Sequence, residues 1–311
     1  MNYDTIQRYL DFCAIQRRLS SHTIRAYKSD LHQYYNFGTN DIRSYLTFLN
    51  QHIKKTSTLK RKIASLKSYY KFLEEEKLIS KNPFHQLRLH YKEEKKLPKT
   101  ISLKDLQKIY CFAHQQIENS KNKHSMRKAM RNLLLISLLL STGLRISELC
   151  NLKLDNINLE NRTIQILGKG KKERLLYIGN DETLSLLEDY IAHHCSHSSY
   201  LFTGVKNDDH LKEPSVRLIL KNISHSLQLK KHITPHMFRH SFATMLLDNG
   251  VDIRQIQHLL GHSNINVTQI YTHVSQSKQV EILSEHNPLN PNHTTTSYIS
   301  NRKPSRLDLN H

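Results

Sequence analysis

No stretch of this chain is apolar enough to cross a bilayer. The most apolar run, Leu133 to Leu140, is interrupted by Ser137 and falls far short of the roughly 20 residues that a spanning helix needs. The opening residues, MNYDTIQRYLDF, carry no apolar core of the kind a secretory signal has. Cysteine is scarce: Cys13, Cys111, Cys150 and Cys195 are widely scattered and form no CxxC pair. These absences argue against a disulfide framework and set the expectation of a cytoplasmic protein with no membrane segment, its cysteines serving as small hydrophobes. Acidic residues are also in deficit, 27 against 46 Lys and Arg, which gives a formal net charge of +19.

What is present is a chain of 311 residues, 38% of them hydrophobic, long enough for two domains with cores of their own. The basic excess is spread along it. Residues 1–95 hold 18 basic and nine acidic side chains, and residues 96–311 hold 28 and 18. An excess on both halves favours a polyanion gripped by both, and nucleic acid is the expected partner.

Helical periodicity predicts a mainly α chain of two domains. Residues 1–82 form a small helical domain: Ile6, Leu10, Cys13 and Ile15 recur at helical spacing, as do Ile24, Tyr27, Leu31, Tyr34 and Tyr35. A third helix follows in DIRSYLTFLNQHI and a fourth in TSTLKRKIASLKSYYKFLEEEKL, with Thr56 or Ser57 as its N-cap. The fourth sets Lys60, Arg61, Lys62, Lys67 and Lys71 beside Tyr69 and Tyr70, a nucleic-acid face or a solvated basic one. Residues 83–100 are charged, with proline near each end, and read as a linker.

The second domain is expected over residues 101–286. Ser102 caps its first helix, MRKAMRNLLLISLLLST is apolar nearly all round and predicts a buried central helix, and Gly143 stops it. Helical periodicity then lapses. RTIQIL and RLLYI flank the turn GKGKKE, a β-hairpin signature with Lys169 at its tip, and LDNINLE supplies a third strand to a small antiparallel sheet. Helices resume in DETLSLLEDYIAHHC and EPSVRLILKNISHSLQL. From Thr234 to His273 three short helices are expected. Thr234 with Pro235 opens the first, Gly250 closes it, Asp252 and Gly261 bound the second, and Ser263 opens the third, which carries Tyr271. SQSKQVEILSEH makes a last helix, and residues 287–311, rich in Asn, Ser, Thr and Pro, read as a disordered tail.

Six polar residues stand out on this scaffold. Arg145 directly follows the buried helix, so its guanidinium must meet a structural acid, Glu148 being three residues on, or face an anion in a cleft. Lys169 is either a solvated turn lysine or a cation on a flexible hairpin. His236 and Arg239 share a helix face. His262 follows a capping glycine, and Tyr271 is either a packed aromatic or a reactive phenol. Taken together they fit one chemistry. Two arginines bind the non-bridging oxygens of a phosphodiester, and histidines hydrogen-bond and transfer protons near neutral pH. The lysine approaches a leaving oxygen, and tyrosine forms a covalent intermediate. Such a site needs neither a metal nor another cofactor, because its own cations neutralise the charge developing on phosphorus.

The motifs STGLRISEL, GKGKKER, HMFRH and LGHSNINVTQIYTH, in this order and spacing, resemble those of the tyrosine recombinases (phage-integrase family), most closely the bacterial Xer site-specific recombinases. The similarity runs from about Lys99 to Glu285 and, more loosely, over the helical N-terminal domain. It implies a SAM-like core-binding domain that contacts DNA, followed by a mostly helical catalytic domain with a small sheet. It also implies that Arg145 and Arg239 bind the scissile phosphate, with His236 and His262 as the two motif histidines. By the same resemblance Lys169 protonates the leaving 5′-hydroxyl and Tyr271 is the nucleophile, forming a 3′-phosphotyrosyl link to double-stranded DNA without ATP. Four protomers, alike or of two kinds, are expected on two recombination sites, exchanging strands through a Holliday junction. Phe238 departs from the family's usual leucine, and the Asn-rich tail is longer than usual.

Other readings are open on the sequence. The 21 histidines include His236 and His240 at zincin spacing, but Met237 stands where that motif needs glutamate. His193, His194, Cys195 and His197 cluster without a second ligand pair. A DNA-binding protein that has lost catalysis and a type IB topoisomerase share some or all of the motifs. Within the family, a compact N-terminal domain favours an Xer-like role in resolving chromosome or plasmid dimers, tied to chromosome partition and cell division. The alternative is the integrase of a phage or other mobile element.

Overall fold

A computed structural model describes residues 2–39, 41–89, 91, 99–167, 173–193, 198–204, 209–261 and 282–287. The chain divides into two compact units, residues 1–97 and 98–311.

The first unit contains α1 (Tyr3–Ile15), α2 (Ser21–Asn36), α3 (Ile42–His52) and α4 (Thr56–Glu75). Asn2, Ser20 and Asp41 cap the first three, each side chain accepting from backbone N–H groups of the first turn. The fourth has Lys55 at the cap position with no side-chain bond, and Thr56 and Ser57, either of them expected as the cap, are already helical. Tyrosine builds the core: Tyr9, Tyr34, Tyr45 and Tyr69 are fully buried. Tyr34 and Tyr70 share a hydroxyl–hydroxyl bond of 2.7 Å, and Tyr69 makes another with Thr5 at 2.7 Å.

Tyr69 and Tyr70 are thus core residues and are not interleaved with the lysines of α4. Part of the basic run also has a structural task. Asp30 is buried and receives the Arg61 guanidinium, Lys62 Nζ at 2.9 Å and Ser65 Oγ at 3.2 Å. Pro83–Gln86, which the sequence analysis assigns to a linker, forms a 3-10 turn whose Phe84 packs into this core.

The second unit is built on α6 (Lys123–Thr142), nearly every residue of which is buried from Ala129 onward. Around it lie α5 (Leu103–Glu118), α7 (Ile146–Cys150), α8 (Asp181–Ala192), α9 (Glu213–Ser226), α10 (Pro235–Asp248) and α11 (Ile253–Leu260). β1 (Ile157–Asn158), β2 (Thr163–Leu167) and β3 (Glu173–Tyr177) form an antiparallel sheet in that order, with Ile164 opposite Leu176. Their alternation puts Ile164, Ile166 and Leu176 in the core.

Ser102 and Asp252 cap as expected, accepting from Asp105 N and Arg254 N. Thr234 holds the N-cap position of α10 without a side-chain bond; Pro235 in the first turn has no N–H to satisfy. Gly143 and Gly261 end α6 and α11 in the left-handed conformation, at φ 62° in both cases. At Gly143 a Cβ would also stand 2.5 Å from Phe242 Cδ1 and 2.8 Å from Leu260 Cδ2, so both conformation and space require glycine.

Behind this junction Phe242, Leu246, Val251, Ile256, Leu259 and Leu260 form a smaller core with Ile282 and Leu283. Asn287, placed by the sequence analysis at the start of a disordered tail, is fully buried and donates from Nδ2 to Ser141 O. Of the expected last helix, residues 282–285 are helical. The helix carrying Tyr271 and the rest of the tail lie outside the described residues. Among the described residues no helix is long and apolar enough to cross a membrane.

Candidate active site

The ends of α6 and α11 meet, and two arginines sit on them. Arg239, on α10, is buried and donates from Nη1 to Gly143 O at 2.8 Å and from Nη2 to Leu260 O at 2.5 Å. Arg145, the N-cap residue of α7, donates from Nη2 to Gly261 O at 2.9 Å. A helix C-terminus leaves carbonyls without intrahelical partners and carries partial negative charge, so each is a natural seat for a guanidinium. Residues 94 positions apart are thereby set on one glycine-closed junction.

Both possibilities raised for Arg145 are realised in part. Its Nη1 donates to Glu148 Oε1 at 2.8 Å, and its backbone N–H donates to Oε2 at 2.9 Å. The side chain nevertheless stays about a third exposed. Glu148 also receives a two-pronged contact from Arg174 on β3, Nη1 to Oε1 and Nη2 to Oε2, each at 2.9 Å. Burial would raise the Glu148 carboxyl, but the Arg174 fork, the Arg145 backbone N–H and the Arg145 guanidinium outweigh it and hold the group below its ordinary value. The cluster sets three guanidinium groups against one carboxylate and keeps a net positive charge. Burial first and the Arg145 charge second push the Arg239 guanidinium down to about 10, with Glu148 partly offsetting them. It is still a cation at neutral pH.

His236 lies in the first turn of α10, exposed, one turn before Arg239. His240, one turn further on, is held below its ordinary value by burial and by the neighbouring His236 and Arg239. Gly261 immediately precedes His262 in the chain, but His262, Lys169 and Tyr271 lie outside the described residues. The structure therefore brings together Arg145 and Arg239 and places His236 on the helix of Arg239. Among the described residues no group of three or more His, Cys, Asp or Glu is arranged to hold a metal ion.

Arg174 is the residue the sequence analysis passed over. A signal was present: it stands two residues before the core residue Leu176 on β3, on the same face, so it points inward. An arginine on an inward strand position needs an anion.

The model of the phage integrase family matches residues 99–278, and that of the phage integrase N-terminal SAM-like domain matches residues 6–77. The chain belongs to the phage integrase family, the tyrosine recombinases, enzymes that cut and rejoin DNA. A tyrosine recombinase of Agathobacter rectalis is 42% identical over 299 residues, which cover 91% of this chain and 96% of that one. The tyrosine recombinase XerD of Listeria innocua serovar 6a is 33% identical over 304 residues, covering 92% and 99%. In fold, the chain is similar to the XerH site-specific recombinase in a post-cleavage complex with palindromic difH substrate. There the TM-score is 0.64 at 24% identity, covering 90% of this chain and 84% of that one. Within its family the chain is a tyrosine recombinase of the Xer and integrase type.

Proposed function

We propose that this protein is an Xer-like site-specific recombinase that resolves chromosome or plasmid dimers through a 3′-phosphotyrosyl intermediate. The observation that carries the reading is the meeting of Arg145 and Arg239 on the Gly143, Leu260 and Gly261 carbonyls. Each guanidinium uses one N–H of each engaged nitrogen there and has further donors for phosphate oxygens. Two fixed cations at that spot stabilise the charge that builds on phosphorus as a nucleophile adds.

In this reading the Tyr271 oxygen attacks the scissile phosphorus and the bond to the 5′-oxygen breaks. Lys169 gives that oxygen a proton, while His236 and His262 hydrogen-bond the phosphate and carry protons. The 5′-hydroxyl of a second duplex then reverses the step and releases Tyr271, so each phosphodiester broken is balanced by one formed and no ATP is consumed. The first unit, with the Pro83–Gln86 turn packed on it, serves as the DNA-binding domain, and the second, through the buried Asn287, as the catalytic domain. Four protomers act on two sites. Identity to an XerD across nearly the whole chain supports an Xer-like role.

The test is covalent capture. The protein is incubated with sheared genomic DNA of its source, protein-linked fragments are recovered, and their ends are sequenced. Tyr271→Phe is expected to abolish the adduct; an adduct that persists in that variant refutes the nucleophile. Recovery of one chromosomal site is the result expected of dimer resolution, and recovery of the ends of a mobile element overturns it in favour of an integrase.

A further inference from the structure

We infer that Arg174 is a positioning residue for Arg145, acting through the Glu148 carboxylate that receives the Arg145 side chain. The inference rests on the recombinase reading above. The Arg145 guanidinium has two acceptors, Glu148 Oε1 at 2.8 Å and Gly261 O at 2.9 Å. Arg174 holds the first of these and borders the residue that supplies the second. Its fork closes on the two Glu148 oxygens at 2.9 Å each. Its guanidinium also fills the space that a side chain at Gly261 would take, since an added Cβ would stand 3.1 Å from Nη1 and 3.2 Å from Cζ.

A carboxylate held at one oxygen can still turn about its last bond. One held at both cannot, so the Arg174 fork sets the plane in which Arg145 is received. Arg174 itself is mostly buried, and its Nε has no hydrogen-bond partner among the described residues. With both Nη groups engaged on Glu148, it is placed to act through that carboxylate. Lysine would keep the charge but could not span both oxygens.

The experiment uses the full chain and a nicked suicide duplex carrying the site recovered by covalent capture. Adduct formation is timed for the wild type, R174Q, R174K, E148Q and the double variant R174Q/E148Q. Non-covalent binding of the same duplex and the unfolding midpoint are measured alongside. R174Q is expected to slow adduct formation about tenfold or more, while duplex affinity stays within about twofold, as expected of a group that acts through Glu148. R174K recovers only part of the rate. In the E148Q background R174Q adds no more than about a twofold further loss, since the effect passes through the carboxylate.

A wild-type rate in R174Q overturns the inference. So does a double variant whose losses multiply, or a loss that only follows the folded fraction. If R174Q does not fold, R174K decides, and a full rate there overturns the proposal. A wild-type protein that forms no adduct on any fragment refutes the recombinase reading, and this inference falls with it.

Discussion

At the scale of single residues, the proposed site should not tolerate exchange of its arginines for lysine. Arg239 is 6% exposed and bridges two backbone carbonyls from different helices. Lysine keeps a positive charge but reaches one acceptor at a time. Arg239→Lys is therefore expected to lower the rate of adduct formation by about 10²–10³-fold, the usual cost of losing a fixed charge donor at a reacting centre. Stability should fall by only about 1–3 kcal/mol, the cost of a carbonyl left unsatisfied. Single-turnover kinetics and urea unfolding on the same preparation check both figures. Legibility was uneven at this scale. Arg145 and Arg239 were marked by their motifs; Arg174 closes the motif GKGKKER, but its meaning depends on the carboxylate opposite it, 26 positions earlier in the chain.

At the scale of elements, Glu148 ties α7 to β3 across the edge of the sheet. Its native pKa lies below the ordinary value of 4.5. A group with a depressed native pKa contributes its full stability above the unfolded value and loses it as pH falls through the native value. Glu148→Gln should therefore destabilise the second unit at neutral pH, by about 3 kcal/mol for one member of a buried ion cluster removed. The gap between variant and wild type should narrow as pH falls below about 4.5. Urea unfolding at a series of pH values measures it, and a gap that does not change with pH contradicts the argument. The helices themselves were largely readable from periodicity and caps: Ser102, Asp252, Gly143, Gly250 and Gly261 stand where helices begin or end. Two elements were not. Lys55 and not Thr56 occupies the cap of α4, and Pro83–Gln86 folds into the first unit because Phe84 has a tyrosine to pack against, Tyr70. Both outcomes depend on tertiary neighbours, which local patterns do not contain.

At the scale of the molecule, the 46 basic side chains are distributed over both halves, and some of them are committed to internal acids. Asp30 takes Arg61 and Lys62 in the first unit, and Glu148 takes Arg145 and Arg174 in the second. The excess that remains should bind duplex DNA through many phosphate contacts, each releasing condensed counterions. Affinity is expected to fall about 10³-fold or more between 50 and 200 mM salt, as for a protein making about six to ten such contacts. Fluorescence anisotropy of a labelled duplex across that range measures the slope, and a flat response would count against DNA held by both units.

The sequence by itself determined the family, the two helical units, the small sheet and most helix boundaries. These rest on short-range spacing, in which apolar period, caps and turn glycines lie within a few residues of one another. Only the tertiary structure decided how the cations are arranged. Arg145 and Arg239 meet because α6 and α11 end on glycines at the same place, and Glu148 is shared because β3 passes beside α7. A charge has no fixed partner until the chain closes long loops, and burial then leaves it with whichever acceptors the packing supplies.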